Sequence, residues 1–148
     1  MSAIVDWIGG TNVARTVAAS AHITAWLSAV HVVGFAVVTG SALVANLKGL
    51  GVLLPASTLG DVLRPAKRAI LLGLAMSIAT GAPLFAARAA EVAANGTFQL
   101  KMSLLAAAVV VQFTPLGERE SATRVVAGVR LVLWLGLSLA ACAFILLE

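Results

Sequence analysis

A long apolar stretch that contains both histidines of the chain constrains the fold more than any other feature. It runs from Ser20 to Asn46 and carries His22 and His31. A helix needs about 20 predominantly apolar residues to cross a bilayer, so this stretch is long enough to span one. An imidazole inside such a span indicates function, because burying a polar ring in hydrocarbon without a partner is costly. We therefore expect any chemistry of this protein to begin at His31.

The composition indicates that the rest of the chain is also embedded in a membrane. Of its 148 residues, 61% are hydrophobic and only 11% are charged, whereas soluble domains are about 25% charged. We expect an all-α fold, a bundle of four transmembrane helices preceded by a short interfacial helix at the N-terminus. Residues 1–148 form one integral membrane domain in this interpretation. The four predicted spans cover about 20–47, 69–87, 98–113 and 125–147.

The segments outside the spans carry turn and interface patterns. Residues 2–10 form a short amphipathic piece in which Trp7 is expected to lie at the level of the lipid headgroups. Residues 52–68 are expected to form a connection between the first and second spans. Gly81 and Pro83 are expected to kink or end the second span, as membrane bundles tolerate where neighbouring helices satisfy the freed carbonyl groups.

Charge and cysteine content exclude several functional classes. The net charge of +4 is too small to favour nucleic-acid binding, so no nucleic acid is expected as a partner. The single cysteine, Cys142, lies in the last span, and one cysteine forms neither an intrachain disulfide nor a multi-cysteine metal site. The remaining candidates for chemistry are the histidines and the few charged residues near the spans.

The distribution of basic residues predicts the orientation in the membrane. Three of them lie on the side of the N-terminus: Arg15, Arg88 and Lys101. Seven lie in or beside the loops on the other side: Lys48, Arg64, Lys67, Arg68, Arg119, Arg124 and Arg130. Because cytoplasmic loops carry an excess of Lys and Arg, we expect both termini to be extracytoplasmic. The expected location is a bacterial inner membrane.

The two histidines have different expected roles. They lie nine residues apart, so on one helix they are roughly 13.5 Å apart and on opposite faces. They are therefore not two axial ligands of one cofactor within a single chain. His31 shares its face with small residues, among them Gly34 and Ser41, which predicts a groove for a flat macrocycle. The alternatives are a solvated interfacial residue for His22 and a hydrogen bond to a neighbouring helix for His31.

Two basic residues near the outer ends of the spans are candidates for binding an anionic group. Lys101 lies about one turn inside the third span, and Arg88 lies at the outer end of the second. Both are positioned to neutralise the propionates of a haem by charge-assisted hydrogen bonds. The alternative for Lys101 is an ammonium that reaches the aqueous surface along its alkyl chain. Met76 and Met102 are either soft ligands or ordinary core residues.

Part of the sequence resembles known membrane proteins. Trp26 and His31 stand five residues apart and are followed by Gly34 and Gly40. This segment is similar to the first helix of the membrane-type (HemJ-like) protoporphyrinogen oxidases, where a Trp-x-x-x-x-His pattern occurs, and of the copper-resistance protein D group. The sequence Phe-Gln-Leu-Lys, ending at Lys101, resembles the lysine-bearing helix of the same proteins.

Two further segments, 46–51 and 80–85, resemble a family of bacterial four-helix membrane proteins. That family usually has Asp-Leu-Arg where this chain has Asn-Leu-Lys. Together the resemblances imply a four-helix membrane fold, b-type haem as a cofactor and His31 as the matching ligand position. The Pro-Arg-Leu pattern expected in the first cytoplasmic loop of the oxidases is missing. No His-x-His, methionine-rich or Cys-x-x-Cys cluster favours copper.

Two functional classes follow from these observations. The first is a membrane b-type haem protein that takes part in electron transfer or in the oxidation of a porphyrin or a quinol. The second is a cofactor-free structural or accessory subunit, in which His31 and Lys101 serve helix packing and a contact with a partner. In both cases the small residues on several faces predict a homo-oligomer or a subunit of a larger membrane complex.

Overall fold

The computed structural model describes residues 3–114 and 120–146, which form seven α-helices and no strand within those ranges. The helices are α1 (Ala3–Gly9), α2 (Asn12–Ala19), α3 (Ala21–Gly49), α4 (Leu59–Ala87), α5 (Ala89–Ala94), α6 (Gly96–Phe113) and α7 (Glu120–Leu146). Four of them, α3, α4, α6 and α7, are long and apolar enough to cross a membrane. The predicted all-α fold with four spans is confirmed.

The N-terminal segment forms two short helices where the sequence predicted one. The break falls at Gly10, whose amide donates to the carbonyls of Asp6 and Trp7, and Thr11 then caps α2 by accepting from the amide of Ala14. α1 lies against α5, and α2 lies against α4. The side chain of Trp7 is 73% exposed, as expected of an aromatic ring at a membrane interface.

The helix that contains the second predicted span starts ten residues before that span. Its N-cap is Thr58, whose hydroxyl accepts from the amide of Asp61, so α4 begins at Leu59 within the predicted connection. Pro65 lies inside this helix, and so do Gly81 and Pro83, which do not end it. The basic residues assigned to the connection, Arg64, Lys67 and Arg68, therefore project from the first turns of α4.

The transmembrane helices associate as two pairs. α3 packs most extensively on α4, α6 packs on α7, and α3 joins the two pairs through α7. The backbones of α4 and α6 approach one another much less closely than those of α3 and α4. A core of buried side chains fills the space between the pairs: Val38, Ala42, Ile70, Ala108, Trp134 and Leu137.

The outer faces of the four long helices are apolar and exposed, as a bilayer requires. Each candidate span has at most 28% of its most apolar window buried inside the chain. The exposed large apolar side chains include Val33, Leu72, Ile78, Val110, Val132 and Leu139. A soluble protein avoids so much contiguous apolar surface, whereas lipid tails solvate it. The structure thus supports contact with a bilayer.

Candidate functional site

His31 lies in the seam between α3 and α4, where its ring binds the backbone of α4. Its Nδ1 is 2.9 Å from the carbonyl oxygen of Ser77 and 3.3 Å from Oγ1 of Thr80. Because a carbonyl oxygen only accepts, the proton of a neutral His31 sits on Nδ1 and donates to Ser77. The lone pair is then on Nε2, which makes no hydrogen bond within the described chain.

Glycines on both helices bring the two backbones together at this seam. A Cβ on Gly34 would lie 2.7 Å from Oγ of Ser77 and 3.1 Å from the carbonyl oxygen of Gly73. A Cβ on Gly73 would lie 2.8 Å from the carbonyl oxygen of Gly34. These distances are too short for any side chain, so glycine is required at both positions. At this seam the main chain of α3 packs directly against the main chain of α4.

Gly81 provides the notch that accommodates the imidazole. A Cβ at this position would lie 2.8 Å from Cε1 and 3.0 Å from Nδ1 of His31. The sequence predicted that Gly81 would weaken or end its helix. In the structure the helix continues, and the missing side chain of Gly81 makes room for a ring from α3.

The same packing changes the prediction of a groove along the face of His31. The space beside Gly34 is filled by Gly73 and Ser77 of α4, so no room is left there for a macrocycle. Ser41, the other residue of the predicted groove, is half-buried on the same helix. His31 therefore keeps its suitability as a ligand, whereas Gly34 serves contact between helices.

The structure brings Lys101 towards His31. The side chain of Lys101 is half-buried on α6, and its charge lies close enough to interact with the imidazole. The two residues that the sequence selected on separate spans thus belong to one region of the molecule. The positive charge of Lys101 therefore lies within electrostatic range of the imidazole, without a direct contact between the two side chains being implied.

Arg88 forms an ion pair with the carboxylate of Glu91. Its Nη2 lies 2.6 Å from Oε1 of Glu91, and its Nε also donates to that carboxylate. The hydrogen bonds and the positive charge of Arg88 hold the pKa of Glu91 below its usual value. Both side chains are exposed at the junction of α4 and α5, so any role of Arg88 in binding an anion competes with this ion pair.

Among the residues that the structure describes, His22 and the methionines lack the hydrogen bonds to a neighbouring helix that His31 makes. His22 is exposed in the first turn of α3, and Trp26, one turn further, is 74% exposed. His22 is exposed whereas His31 lies in the seam with α4, so the two histidines have different surroundings. Met102 is exposed and Met76 is half-buried. In the described ranges no group of three or more His, Cys, Asp or Glu side chains is arranged to hold a metal ion.

A second polar centre, which the sequence analysis did not assign to a site, lies at the opposite end of the bundle. The side-chain oxygen of Gln112 on α6 accepts from Nδ2 of Asn46 at 3.3 Å and from Nε1 of Trp134 at 3.0 Å. Asn46 and Trp134 are both buried, and the three side chains connect α3, α6 and α7. The signal available in the sequence was a pair of amide side chains at the ends of apolar helices, where such groups usually bond across helices.

Arg130 belongs to this second centre, although the orientation argument counted it among the loop residues. It lies inside α7 with only 4% of its surface exposed. Its Nε donates to the carbonyl oxygen of Val111 at 2.8 Å, and its Nη2 donates to that of Thr114. The guanidinium thus satisfies carbonyl groups at the C-terminal end of α6, where intrahelical partners are missing. Arg119 lies outside the described residues.

Comparison with protein families, with curated proteins and with solved structures found no match to this chain.

Proposed function

We propose that this chain is a membrane redox protein that binds b-type haem through Nε2 of His31. The observation that carries the proposal is the hydrogen bonding of the two ring nitrogens of His31. Nδ1 is fixed by the carbonyl of Ser77, and Nε2 has no hydrogen bond in the described chain. Metal-binding histidines usually donate their second ring N–H to a carbonyl or a carboxylate, which fixes the tautomer and the direction of the lone pair.

The charge near His31 supports the same ligand. Haem carries two anionic propionates, and Lys101 supplies a positive charge within electrostatic range of the imidazole. The similarity of the segment from Trp26 to His31 to the first helix of the HemJ-like oxidases is a further argument. A bound haem would supply one-electron chemistry in the membrane, for electron transfer or for oxidation of a porphyrin or a quinol.

The packing restricts how haem is held. Because Gly34 is covered by α4, the macrocycle contacts His31 from another side than the predicted groove. His22 is exposed, so no second histidine of the same chain faces the site. His31 would then be the single ligand from this chain, or a further ligand to the iron would come from Met76, Met102, Lys101 or a group of a neighbouring subunit.

A specific observation favours the second functional class, the cofactor-free accessory subunit. The ring of His31 fills the notch at Gly81 and joins α3 to α4 by a hydrogen bond, which is what a purely structural histidine does. In this case the α3–α4 pair is a rigid support, and its exposed apolar faces contact lipid or a partner subunit. The two classes differ in whether Nε2 has a ligand.

One spectroscopic experiment separates the two classes. The protein is expressed in a haem-replete bacterium, purified in mild detergent and examined for a Soret absorption band. We expect a band in the wild type, loss of the band in His31→Ala with protein retained in the membrane, and little change in His22→Ala. Absence of the band from the wild type, or full haem content in His31→Ala, would exclude His31 as a haem ligand and favour the accessory subunit.

We further propose that the protein resides in a bacterial inner membrane with both termini extracytoplasmic. The argument is the excess of basic residues at the end of the bundle that carries the α3–α4 connection, including Lys48, Arg64 and Arg68. A reporter that is active only in the cytoplasm, fused after Glu148, should be silent. Activity of that fusion would reverse the proposed orientation.

We also propose that the chain assembles with itself or with a larger membrane complex. Small residues lie on exposed helix faces, including Ala29 and Ala36 of α3, and such residues allow a second helix to approach closely. Cross-linking in native membranes should yield a dimer or a product with a partner. A monomer alone, in membranes where a known oligomer cross-links well, would contradict the proposal.

A further inference from the structure

A cleft at the end of the bundle that carries the α3–α4 connection contains two basic side chains. It has a volume of about 390 Å³, is open on one side, and lies between the first half of α4 and the end of α6. Its polar lining includes Lys67, Gln112, Thr114 and Arg130, and its apolar lining includes Leu63 and Ile70. The cleft exists because the backbones of α4 and α6 approach one another much less closely than those of α3 and α4.

Neither cation of the cleft has a carboxylate partner among the described residues. The guanidinium of Arg130 donates to two carbonyl oxygens, which are neutral and leave its positive charge uncompensated. The ammonium of Lys67 lies 5.8 Å from the centroid of the Phe113 ring and has no carboxylate partner in the part of the chain that the structure describes. Arginine keeps its charge in proteins, and a charge that is 96% covered by protein is costly unless an anion accompanies it.

We propose that this cleft binds the phosphate headgroup of an acidic phospholipid. Arginine and lysine bind phosphate oxygens by charge-assisted hydrogen bonds, and the amide of Gln112 adds a neutral polar group beside them. Leu63 and Ile70 provide apolar lining beside the cations, as a molecule with both a charged and a hydrocarbon part requires.

The position and the size of the cleft favour a lipid over a free anion. The cleft lies at the C-terminal end of α6, one of the four helices long enough to cross a membrane, where a lipid headgroup can approach it. Basic pockets between transmembrane helices are known places for acidic headgroups. Its volume of about 390 Å³ lies near the lower end for small-molecule sites, which leaves room for more than one inorganic phosphate.

Lipid binding is measured on the full-length protein in detergent, by native mass spectrometry or by lipid-dependent thermal stability. The probes are phosphatidylglycerol, phosphatidylcholine and inorganic phosphate. We expect phosphatidylglycerol to bind at least tenfold more tightly than phosphatidylcholine, and inorganic phosphate to bind weakly. Lys67→Gln should raise the apparent Kd for phosphatidylglycerol about tenfold, as loss of one charge-assisted bond of about 1.4 kcal/mol implies.

The matched control is Arg68→Gln, which removes the same charge from the next position of α4. Arg68 is exposed and does not line the cleft, so its replacement should change the Kd less than twofold. An equal loss in both variants would show general attraction to a basic surface and overturn the proposal. Equal affinity for the two lipids would overturn it, and so would tight binding of inorganic phosphate that displaces the lipid.

This proposal does not depend on haem. Lys67 lies on the surface and makes no hydrogen bond that holds the fold within the described chain, so its variant should retain the same Soret absorption as the wild type. A variant of Arg130 is less informative because its side chain also holds the end of α6. Loss of the Soret band in Lys67→Gln would show that the substitution disturbs the whole bundle and would contradict a local lipid site.

Discussion

The two polar centres of this protein are built in opposite ways. Around His31 the helices α3 and α4 meet through glycine, and Nδ1 of the polar ring donates to a main-chain carbonyl within the closely packed seam. Around Gln112 the helices are held by long side chains, which bond to one another and leave a cleft beside them. In this protein, small residues bring α3 and α4 into close contact. The large polar side chains around Gln112 instead hold their helices further apart, beside a cleft that has room for a ligand.

The largest effect is expected from filling the closed seam. In Gly34→Ala the new methyl group would lie 2.7 Å from Oγ of Ser77 and 3.1 Å from a carbonyl oxygen, so α3 and α4 must separate. We expect a loss of roughly 1–3 kcal/mol in the free energy of unfolding, as is usual for an overpacked core. Unfolding by sodium dodecyl sulfate, followed by far-UV circular dichroism, measures this quantity.

Gly40→Ala is the matched control because it makes the same change on the same helix, where a Cβ would meet no atom within 4 Å. It should leave stability unchanged or raise it slightly. Equal losses in the two variants would mean that the effect comes from the helix itself and not from the seam. The close packing of α3 on α4 would then not distinguish the His31 centre from the Gln112 centre.

An intermediate effect is expected from removing the central acceptor of the open centre. Gln112→Leu leaves Nδ2 of Asn46 and Nε1 of Trp134 without their acceptor, and both donors are buried. Each unsatisfied donor costs about 1–3 kcal/mol in soluble proteins, but side-chain hydrogen bonds in membranes average only about 0.6 kcal/mol. We expect a total loss of about 1–2 kcal/mol in the same unfolding assay.

The comparison is sharpened by a second glutamine on the same helix. Gln99 is exposed near the start of α6 and donates to the carbonyl of Ala93. Gln99→Leu should lower stability by less than about 0.5 kcal/mol, because water replaces the lost bond. If it costs as much as Gln112→Leu, the buried network has no special importance.

The smallest effect is expected at the exposed ion pair of Arg88 and Glu91. Because the pKa of Glu91 is lower in the folded protein, its contribution is present above the usual carboxylate pKa and is lost as pH falls through the folded value. Thermal unfolding of the wild type and of Glu91→Gln should differ slightly at about pH 7 and converge as the pH falls through the folded pKa of Glu91. A difference that grows in acid would contradict the assigned direction of the pKa.

The sequence predicted the helices well where the apolar pattern and the caps agree. The predicted first span begins at Ser20, and that residue caps α3 in the structure by accepting from the amide of Ile23. The start of α4 was placed too late because Pro65 and the neighbouring basic residues resemble a loop. The capping residues Thr58 and Asp61 were nevertheless visible, and they decide where the helix begins.

The site was only partly predictable because its geometry depends on how distant helices align. His31 and Lys101 were selected as polar residues in apolar spans, and the charge of Lys101 lies within electrostatic range of His31. No local pattern indicated that Ser77 would accept from His31 or that Gly81 would make room for its ring, since each depends on the register between α3 and α4. Arg130 was counted with the loop residues because of its positive charge, although it lies within the predicted fourth span of 125–147.

The contact between α1 and α5 has a consequence for synthesis in the cell. α1 lies against α5, and Gly9 reaches the end of α4 near Ala86. The contact of α1 with α5 therefore forms only after about 80 further residues are made, roughly 4–16 s at usual rates of translation. During that interval α1 has no contact with α5, and Ile4 and Trp7, which stay exposed in the folded protein, are suited to the membrane interface throughout. The contact between α1 and α5 thus joins the first helix to be made with one that is made much later.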